Sequence, residues 1–471
     1  MTVRSKIFIG GRWVDPVGAG TIDVINPATE EAFATVPRCS AEDVDRAARA
    51  AAGAFPAWSC TSVDERATMM LRLAEITERR ADELTLTAVA EVGQIIRTAR
   101  TIQTDVVVSD LRVMASALAQ IVWQEQVEGA VVHREPSGVL GAIGAWNGPL
   151  RSVVLKAGAA IAAGCTAVVK GSEIAPLTSF LFAEIVEEAG FPHGVFNLVC
   201  GTGPEVGEAM ATHPLIDAIS LTGSVRAGRR VMELASRSMK RVALELGGKS
   251  ANIILEDADL ARAVDDGLED AFRISGQVCG GLTRILVPRS RLGEAEALAL
   301  RKAESFVVGD PLDMKTSLGP VISDTARDRI RGYIRSGIDE GARLLTGGLE
   351  APAGLDRGYY IRPTVFSGHN QLRVAREEIF GPVVVMIPFN DEDDALAIGN
   401  DSPYGLAGSV WSASAERART VARRLRTGRV RINGAPLSNH GAHGGIKQSG
   451  LGREWGRFGI EEFLEYKSIN G

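Results

Sequence analysis

The sequence predicts an α/β protein built on a parallel, doubly wound sheet, with a second α/β section following it. Three observations carry this. Between Gly138 and Gly248 short β-rich runs alternate with helical stretches, the pattern that crossover connections between parallel strands produce. From Ser250 to about Gly450 strand candidates and helices alternate again. At 471 residues the chain exceeds what one ordinary core can organise, so two or three domains are expected.

The N-terminal run MTVRSKIFIGGRWVD alternates and turns at Gly10-Gly11, which predicts a β-hairpin and lacks the unbroken apolar run of a signal peptide. From Ser40 to Leu118 the periodicity is helical, in AEDVDRAARAAAGAF and in DERATMMLRLAEITERRADELTLTAVAEVG. Both pieces begin near an Asp or Ser cap, and the second closes at Gly93. An exposed-looking strand, GAVVHREPSG, precedes the change of rhythm. The strand runs are then VLGAIGAW, TAVVK, VFNLVC, DAISLT and RVALEL, with helices at about 150–163, 176–189, 204–211 and 225–236. The later section predicts a helix at 258–272, the strand RILVP, a helix at 325–341, and strands in FGPVVVMIPF and GRVRIN. The tail FLEYKSI alternates and can pair with another strand. Pattern changes at roughly 115–137 and 248 mark the domain borders.

Composition narrows the function classes. Hydrophobic content of 45% with 23% charge is that of a globular chain, and the net charge of −6 is spread without a basic stripe, which argues against nucleic acid. The five cysteines (39, 60, 165, 200 and 279) are odd in number, far apart and without Cys/His ligand spacing. That predicts reduced thiols in a cytoplasmic setting, with neither a disulfide framework nor a metal site. The apolar tract 153–169 is broken by Lys156 and glycines, so it reads as a buried helix and strand rather than a membrane span.

Five segments can carry chemistry. In RISGQVCGGLTR, Cys279 lies among glycines, either as a small buried hydrophobe or as a nucleophile. In SLTGSVRAG, Gly223 and Ser224 open a helix whose free amides favour an anion such as a phosphate. In TAVVK, Lys170 ends a strand with Glu173 three residues on, either an ordinary capped turn or a grip on a ribose and its phosphate. Asn147 in GAWNGPL is a turn former or an amide donor for a developing oxyanion. Glu245 in LELGGKS sits near the end of an apolar strand, where burial would raise its pKa towards that of a general base unless a salt bridge explains it. All but Cys279 fall at the carboxyl side of one sheet, and that convergence outweighs any single motif.

With these residues in place, the chain resembles the NAD(P)-dependent aldehyde dehydrogenase superfamily over nearly its whole length. INPATEE, AWNGPL, VVKGSE, LTGSVRAG, LELGGKSANIILEDADL, GQVCGG, EEIFGPV and GGIKQSGLGREWG occur in the family's order, with the family's 34-position gap from Glu245 to Cys279. The resemblance implies an aldehyde-dehydrogenase-like fold: a Rossmann-like cofactor-binding domain (1–117 and 137–247), an α/β catalytic domain (248–450), and a small β bridging element (118–136 and 451–471) that pairs protomers into a homodimer or homotetramer. It implies that the Cys279 thiolate attacks an aldehyde, that Asn147 and the Cys279 N–H hold the oxyanion, and that Glu245 activates the water hydrolysing the thioester. Lys156 and Glu454 match the proton-relay pair behind that base. Lys170 and Glu173 would hold the adenine ribose of NAD, Gly223, Ser224 and Leu246 would lie along the cofactor, and Glu378 and Phe380 would meet the nicotinamide ribose and ring. Trp146 would line the cofactor cleft. Glu173 would repel a 2′-phosphate, which favours NAD over the alternative, NADP. Retention of Glu245 argues against a relative that passes the acyl group to coenzyme A, and the intact catalytic set argues against an inactive NAD-binding relative.

The departures bear on substrate. Ala145 and Gly171 stand where the family often has Pro, and Leu221 where it has Phe. In AHGG, His443 replaces an aromatic that usually walls the substrate tunnel, and Gly148 replaces another. By analogy the pocket also includes Arg151, Ser152, Leu155, Arg273, Val278, Gly280 and Leu437. Such a lining is roomier and more polar than that of a fatty-aldehyde enzyme, and an arginine facing the tunnel would favour a substrate with a carboxylate or other polar group; the alternative is that Arg151 and Arg273 point to solvent or pair with acids.

Overall fold

The computed structural model describes residues 2–471. Its largest sheet has eight strands, ordered Gly450–Leu451, Arg241–Glu245, Ala218–Thr222, Val139–Ile143, Thr166–Lys170, Phe196–Val199, Ile7–Ile9 and Arg12–Val14. The five from Arg241–Glu245 to Phe196–Val199 are parallel, and the N-terminal hairpin and Gly450–Leu451 add antiparallel edges. Strands 139–143, 166–170 and 196–199 are buried at every position, as expected where helices cover both faces and the sequence is predominantly apolar. Strand order reverses at Val139–Ile143, which has 166–170 on one side and 218–222 on the other. The loop after that strand therefore opens at a topological switch point, where ligands of such sheets bind.

A second sheet of seven strands runs Arg343–Thr346, Thr364–Ser367, Val383–Phe389, Arg284–Pro288, Ala251–Ile254, Ala407–Trp411, Arg429–Ile432, all parallel except the first. Alternate residues of its strands feed two apolar clusters, Ile253, Leu286 and Val385 into one, Ile254, Ile285 and Val384 into the other, so both faces are covered. The tail strand Leu464–Asn470 pairs antiparallel with Ala130–Pro136, which pairs with Gln124–Val127. Just before it, Trp455, Ile460 and Phe463 return to the core of the first sheet. None of the described helices is long and apolar enough to cross a membrane.

Three local features depart from the sequence pattern. Residues 21–37, half exposed, form the hairpin Thr21–Asn26/Glu31–Pro37, joined by Thr2–Val3 in a separate three-stranded sheet. The segment read as one helix up to Gly93 breaks into Val63–Arg79 and Ala81–Val92. At Arg80 (φ −95°, ψ 17°) the helical ladder is interrupted and the guanidinium turns to Glu83 and Glu184. The 150–163 helix contains a π-helical turn, Val154–Gly158, which carries Lys156; such wide turns re-aim a side chain and recur at functional sites.

Candidate active site

Cys279 follows a tightly held loop. Ile274, Ser275 and Gly276 all have positive φ (51°, 55° and 76°), and a Cβ on Gly276 would lie 2.1 Å from the Gly381 backbone. Ser275 Oγ donates to the Gly319 carbonyl at 2.7 Å, and Gln277 Oε1 accepts from Ile322 N–H at 2.9 Å. These anchors offset the strain of three left-handed residues and fix the backbone that presents Cys279. From the other side, Gly248 packs so closely that a Cβ there would meet the Cys279 carbonyl at 2.6 Å.

Cys279 opens into a cavity of about 440 Å³. Asn147, Gly148, Arg151, Ser152 and Leu155 line it from the switch-point loop and its helix. Glu245 comes from the end of strand 241–245, Arg273 and Val278 from the cysteine loop, and Leu437, His443 and Glu454 from the C-terminal segment. The chain thus brings together residues more than 300 positions apart. Gly280 is an exception to the expected lining: the space its side chain would fill is taken by Arg429, whose Nη2 would lie 2.7 Å from a Cβ there. Lys156 also stands off the wall, fully buried behind Glu454, with Nζ 2.5 Å from Glu454 Oε1.

Asn147 is held at both ends. Its Nδ2 donates to the Gln277 carbonyl at 2.9 Å, and its own carbonyl accepts from Gln103 Nε2 at 2.9 Å. One amide N–H is thereby used and the second is left for the cavity. The Cys279 N–H makes no backbone hydrogen bond among the described residues. Ser152, though on the wall, spends its hydroxyl on the loop, accepting from Ala145 N–H at 3.0 Å.

Electrostatics separate the groups. Burial raises Glu245 well above the usual carboxylate range, the nearby Glu454 raises it further, and Lys156 opposes both. Neither Glu245 oxygen has a hydrogen-bond partner among the described residues. His443 stacks on Trp455 (4.3 Å between ring centroids, 14° interplanar), with Nε2 3.6 Å from Glu245 Oε2. Burial, then Arg429 and the other surrounding cations, hold it well below the usual imidazole range, so it is neutral. Burial pushes the Cys279 thiol up to about 11, opposed first by Arg429.

The two tunnel arginines do line the cavity, but not as free cations. Arg151 is held by the buried Asp110 (Nε–Oδ2 2.7 Å) and lies over Trp455, while Arg273 has Asp270 at 3.7 Å. Arg429 and Trp455 were not singled out from sequence. GRVRIN reads as an ordinary edge strand, and the sole hint is a charge beginning a strand that enters a core.

A second group of candidate residues lies at and around the carboxyl ends of the first sheet. Lys170 Nζ bonds Glu173 Oε2 at 2.7 Å. Ser224 caps the 11-residue helix Val225–Ala235 by accepting from Ala227 N–H, with Gly223 N–H tied to the Glu245 carbonyl at 3.0 Å. Leu246 packs where a Cβ on Gly228 would sit. Glu378, raised to about 7 by burial, accepts from Gly248 N–H at 3.2 Å and fills the space beside Gly247. Trp146 and Phe380 meet edge to face at 5.4 Å. An ammonium–carboxylate pair, a helix N-terminus, a second carboxyl and two aromatic rings form a donor set that fits a dinucleotide. No cluster of His, Cys, Asp or Glu that could hold a metal occurs among the described residues.

Comparison with known proteins identifies the family and the fold. The model of the aldehyde dehydrogenase family matches residues 13–469. A 3-succinoylsemialdehyde-pyridine dehydrogenase from a Pseudomonas species is 47% identical over 468 residues, 99% of this chain and 98% of that one. Among solved structures, a cysteine-to-alanine variant of aldehyde dehydrogenase C (AldC) from Pseudomonas syringae, in complex with NAD+ and octanal, superposes with a TM-score of 0.98 at 47% identity, over 99% of this chain and 96% of that one. A Mycobacterium tuberculosis aldehyde dehydrogenase complexed with NAD+ gives a TM-score of 0.97 at 42% identity, over 100% and 98% of the two chains.

Proposed function

The chain belongs to the aldehyde dehydrogenase family, and from that premise we propose that it oxidises an uncharged, medium-length aldehyde to the carboxylic acid through an acyl group carried on Cys279. NAD, when bound, supplies the hydride acceptor; the balance is aldehyde, NAD+ and water giving acid, NADH and a proton. Cys279 Sγ adds to the aldehyde carbon. The free N–H of Asn147 and the Cys279 N–H stabilise the oxygen as it becomes negative. Loss of hydride from that carbon leaves a thioester on Sγ. Glu245 takes a proton from the water that attacks it, and the thiolate leaves. The raised pKa of Glu245 suits this step, because a stronger base gains more from the transfer. Glu454, paired with Lys156, is placed to pass that proton on from behind. Glu173, with Lys170, holds the adenine ribose, Ser224 the pyrophosphate with Gly223 beside it, and Glu378 the nicotinamide ribose.

The observation that supports this most is the single cavity shared by Cys279, Asn147 and Glu245. Its volume suits one small ligand. Arg151 is neutralised by Asp110 and Leu155, Val278 and Leu437 are apolar, which favours an uncharged chain over a carboxylate. That choice accords with the octanal of the AldC complex. The cofactor unit corresponds to residues 1–117 and 137–247, the catalytic unit to 248–450. Within the bridging element, 118–136 and 451–471, the exposed edge strand Gln124–Val127 of the small sheet that it makes with Ala130–Pro136 and Leu464–Asn470 serves to join protomers in a homodimer or homotetramer. Five free cysteines fit a cytoplasmic setting.

NADH formation across straight-chain alkanals and carboxylate-bearing semialdehydes, with and without coenzyme A, tests the proposal. Hexanal to octanal should give the highest kcat/KM, and Cys279→Ala should abolish turnover while NAD still binds. Preference for semialdehydes, or acyl-CoA as product, would overturn it.

A further inference from the structure

Arg429 begins the last strand of the second sheet, in register with Ala407. Its guanidinium lines the cavity with Cys279 and lies over Trp455, Cζ 5.4 Å from the ring centroid. Nη2 occupies the side-chain space of Gly280, the residue after the nucleophile. The neighbouring arginines have acids: Arg151 has Asp110, and Arg431 has Asp266 and Asp270. Among the described residues the Arg429 guanidinium has no carboxylate at ion-pair distance, and its buried Nη1 has no hydrogen-bond partner. A cation without an ion-pair partner in a poorly hydrated place is costly, and at rest only Asp270, beyond ion-pair distance, acts on it as a counter-charge, so its place beside the cysteine loop calls for a closer one.

We propose that Arg429 is a positioning residue whose counter-ion is the Cys279 thiolate, and that position 280 is glycine because the guanidinium occupies its side-chain space. This rests on Cys279 being the nucleophile. The groups acting on the thiol are Arg429, which favours the thiolate, the Gly280 N–H, which also favours it, and Glu245 and Glu378, which oppose it. Without Arg429 two carboxyl groups and burial act almost unopposed. A cation adjacent to a cysteine is a recognised means of generating thiolate near neutral pH. Recognition of a substrate carboxylate is the competing role, but Nη2 points to the loop under the nucleophile and Nη1 is closed off, which disfavours it.

The test is the pH dependence of Cys279 alkylation by iodoacetamide in the full chain, with the modified residue identified by mass spectrometry. Arg429→Met and Arg429→Gln should move the midpoint up by about one pH unit, an approximately tenfold slower alkylation below it, and Arg429→Lys should restore most of the rate. Gly280→Ala, which displaces the guanidinium without removing it, should move the midpoint the same way and decides the matter if the Arg429 variants fail to fold. An unmoved midpoint in folded variants overturns the proposal. If KM then rises only for carboxylate-bearing aldehydes, the arginine is a substrate contact. Failure of the nucleophile assignment has another signature, full turnover after Cys279 is labelled in the unaltered chain, and overturns both.

Discussion

Replacing Asn147 by alanine removes the one side-chain donor to which the proposed mechanism assigns the oxygen of the reacting aldehyde. At rest its amide makes one hydrogen bond, 2.9 Å to the Gln277 carbonyl, so truncation forfeits about 1 kcal/mol of ground-state stability. The larger loss arises as negative charge develops, where removing one pre-aimed donor costs about 3 kcal/mol, or roughly 150-fold in kcat. KM should change little, because the bond strengthens only in the transition state. Asn147→Asp should be worse than alanine, since a carboxylate would face both the Gln277 carbonyl and the developing oxyanion. Gln103→Ala frees the Asn147 backbone and should cost less, about tenfold. Steady-state and single-turnover NADH formation would measure all three. An Asn147→Ala variant with kcat within threefold of the unaltered chain would refute the donor role, as would a loss confined to KM.

Other perturbations follow from the same geometry. Glu454 raises the pKa of Glu245 and Lys156 lowers it, so Glu454→Gln should shift the acid limb of thioester hydrolysis to lower pH and Lys156→Met to higher pH. Acyl release after a single NADH burst, followed against pH, reads both. A Cβ on Gly247 would fall 2.0 Å from Glu378 Oε2, so Gly247→Ala should displace that carboxyl and weaken NAD binding about tenfold by titration. Glu173→Gln removes the charge that repels a 2′-phosphate and should improve kcat/KM with NADP relative to NAD by about tenfold.

Much of the frame was legible because burial on both faces leaves a plain signature. Strands 139–143, 166–170 and 196–199 are short, mostly apolar runs between helices, and Gly10-Gly11 declares its turn. The hairpin at 21–37 was not legible, since half-exposed strands lack both that run and strict alternation. Asn147, Lys170, Ser224 and Glu245 stand out as polar residues at strand ends. Lys156 and Glu454, separated by 298 positions, are paired only by folding, and resemblance alone anticipated them. Gly280 was assigned to the substrate because a glycine beside a nucleophile suggests room for a ligand; the room belongs to Arg429. A half-buried arginine at the head of an edge strand looks, in sequence, like solvent-facing charge. The fate of Arg151 depended on Asp110, whose helix contacts no sequence pattern reports.

The division of labour between Cys279 and Glu245 is tested most directly by mixing Glu245→Gln with NAD and octanal in a single turnover. The account predicts a burst of one NADH per active site, followed by an acyl group persisting on the peptide that contains Cys279. No burst, an acyl group elsewhere, or release as fast as in the unaltered chain would contradict it.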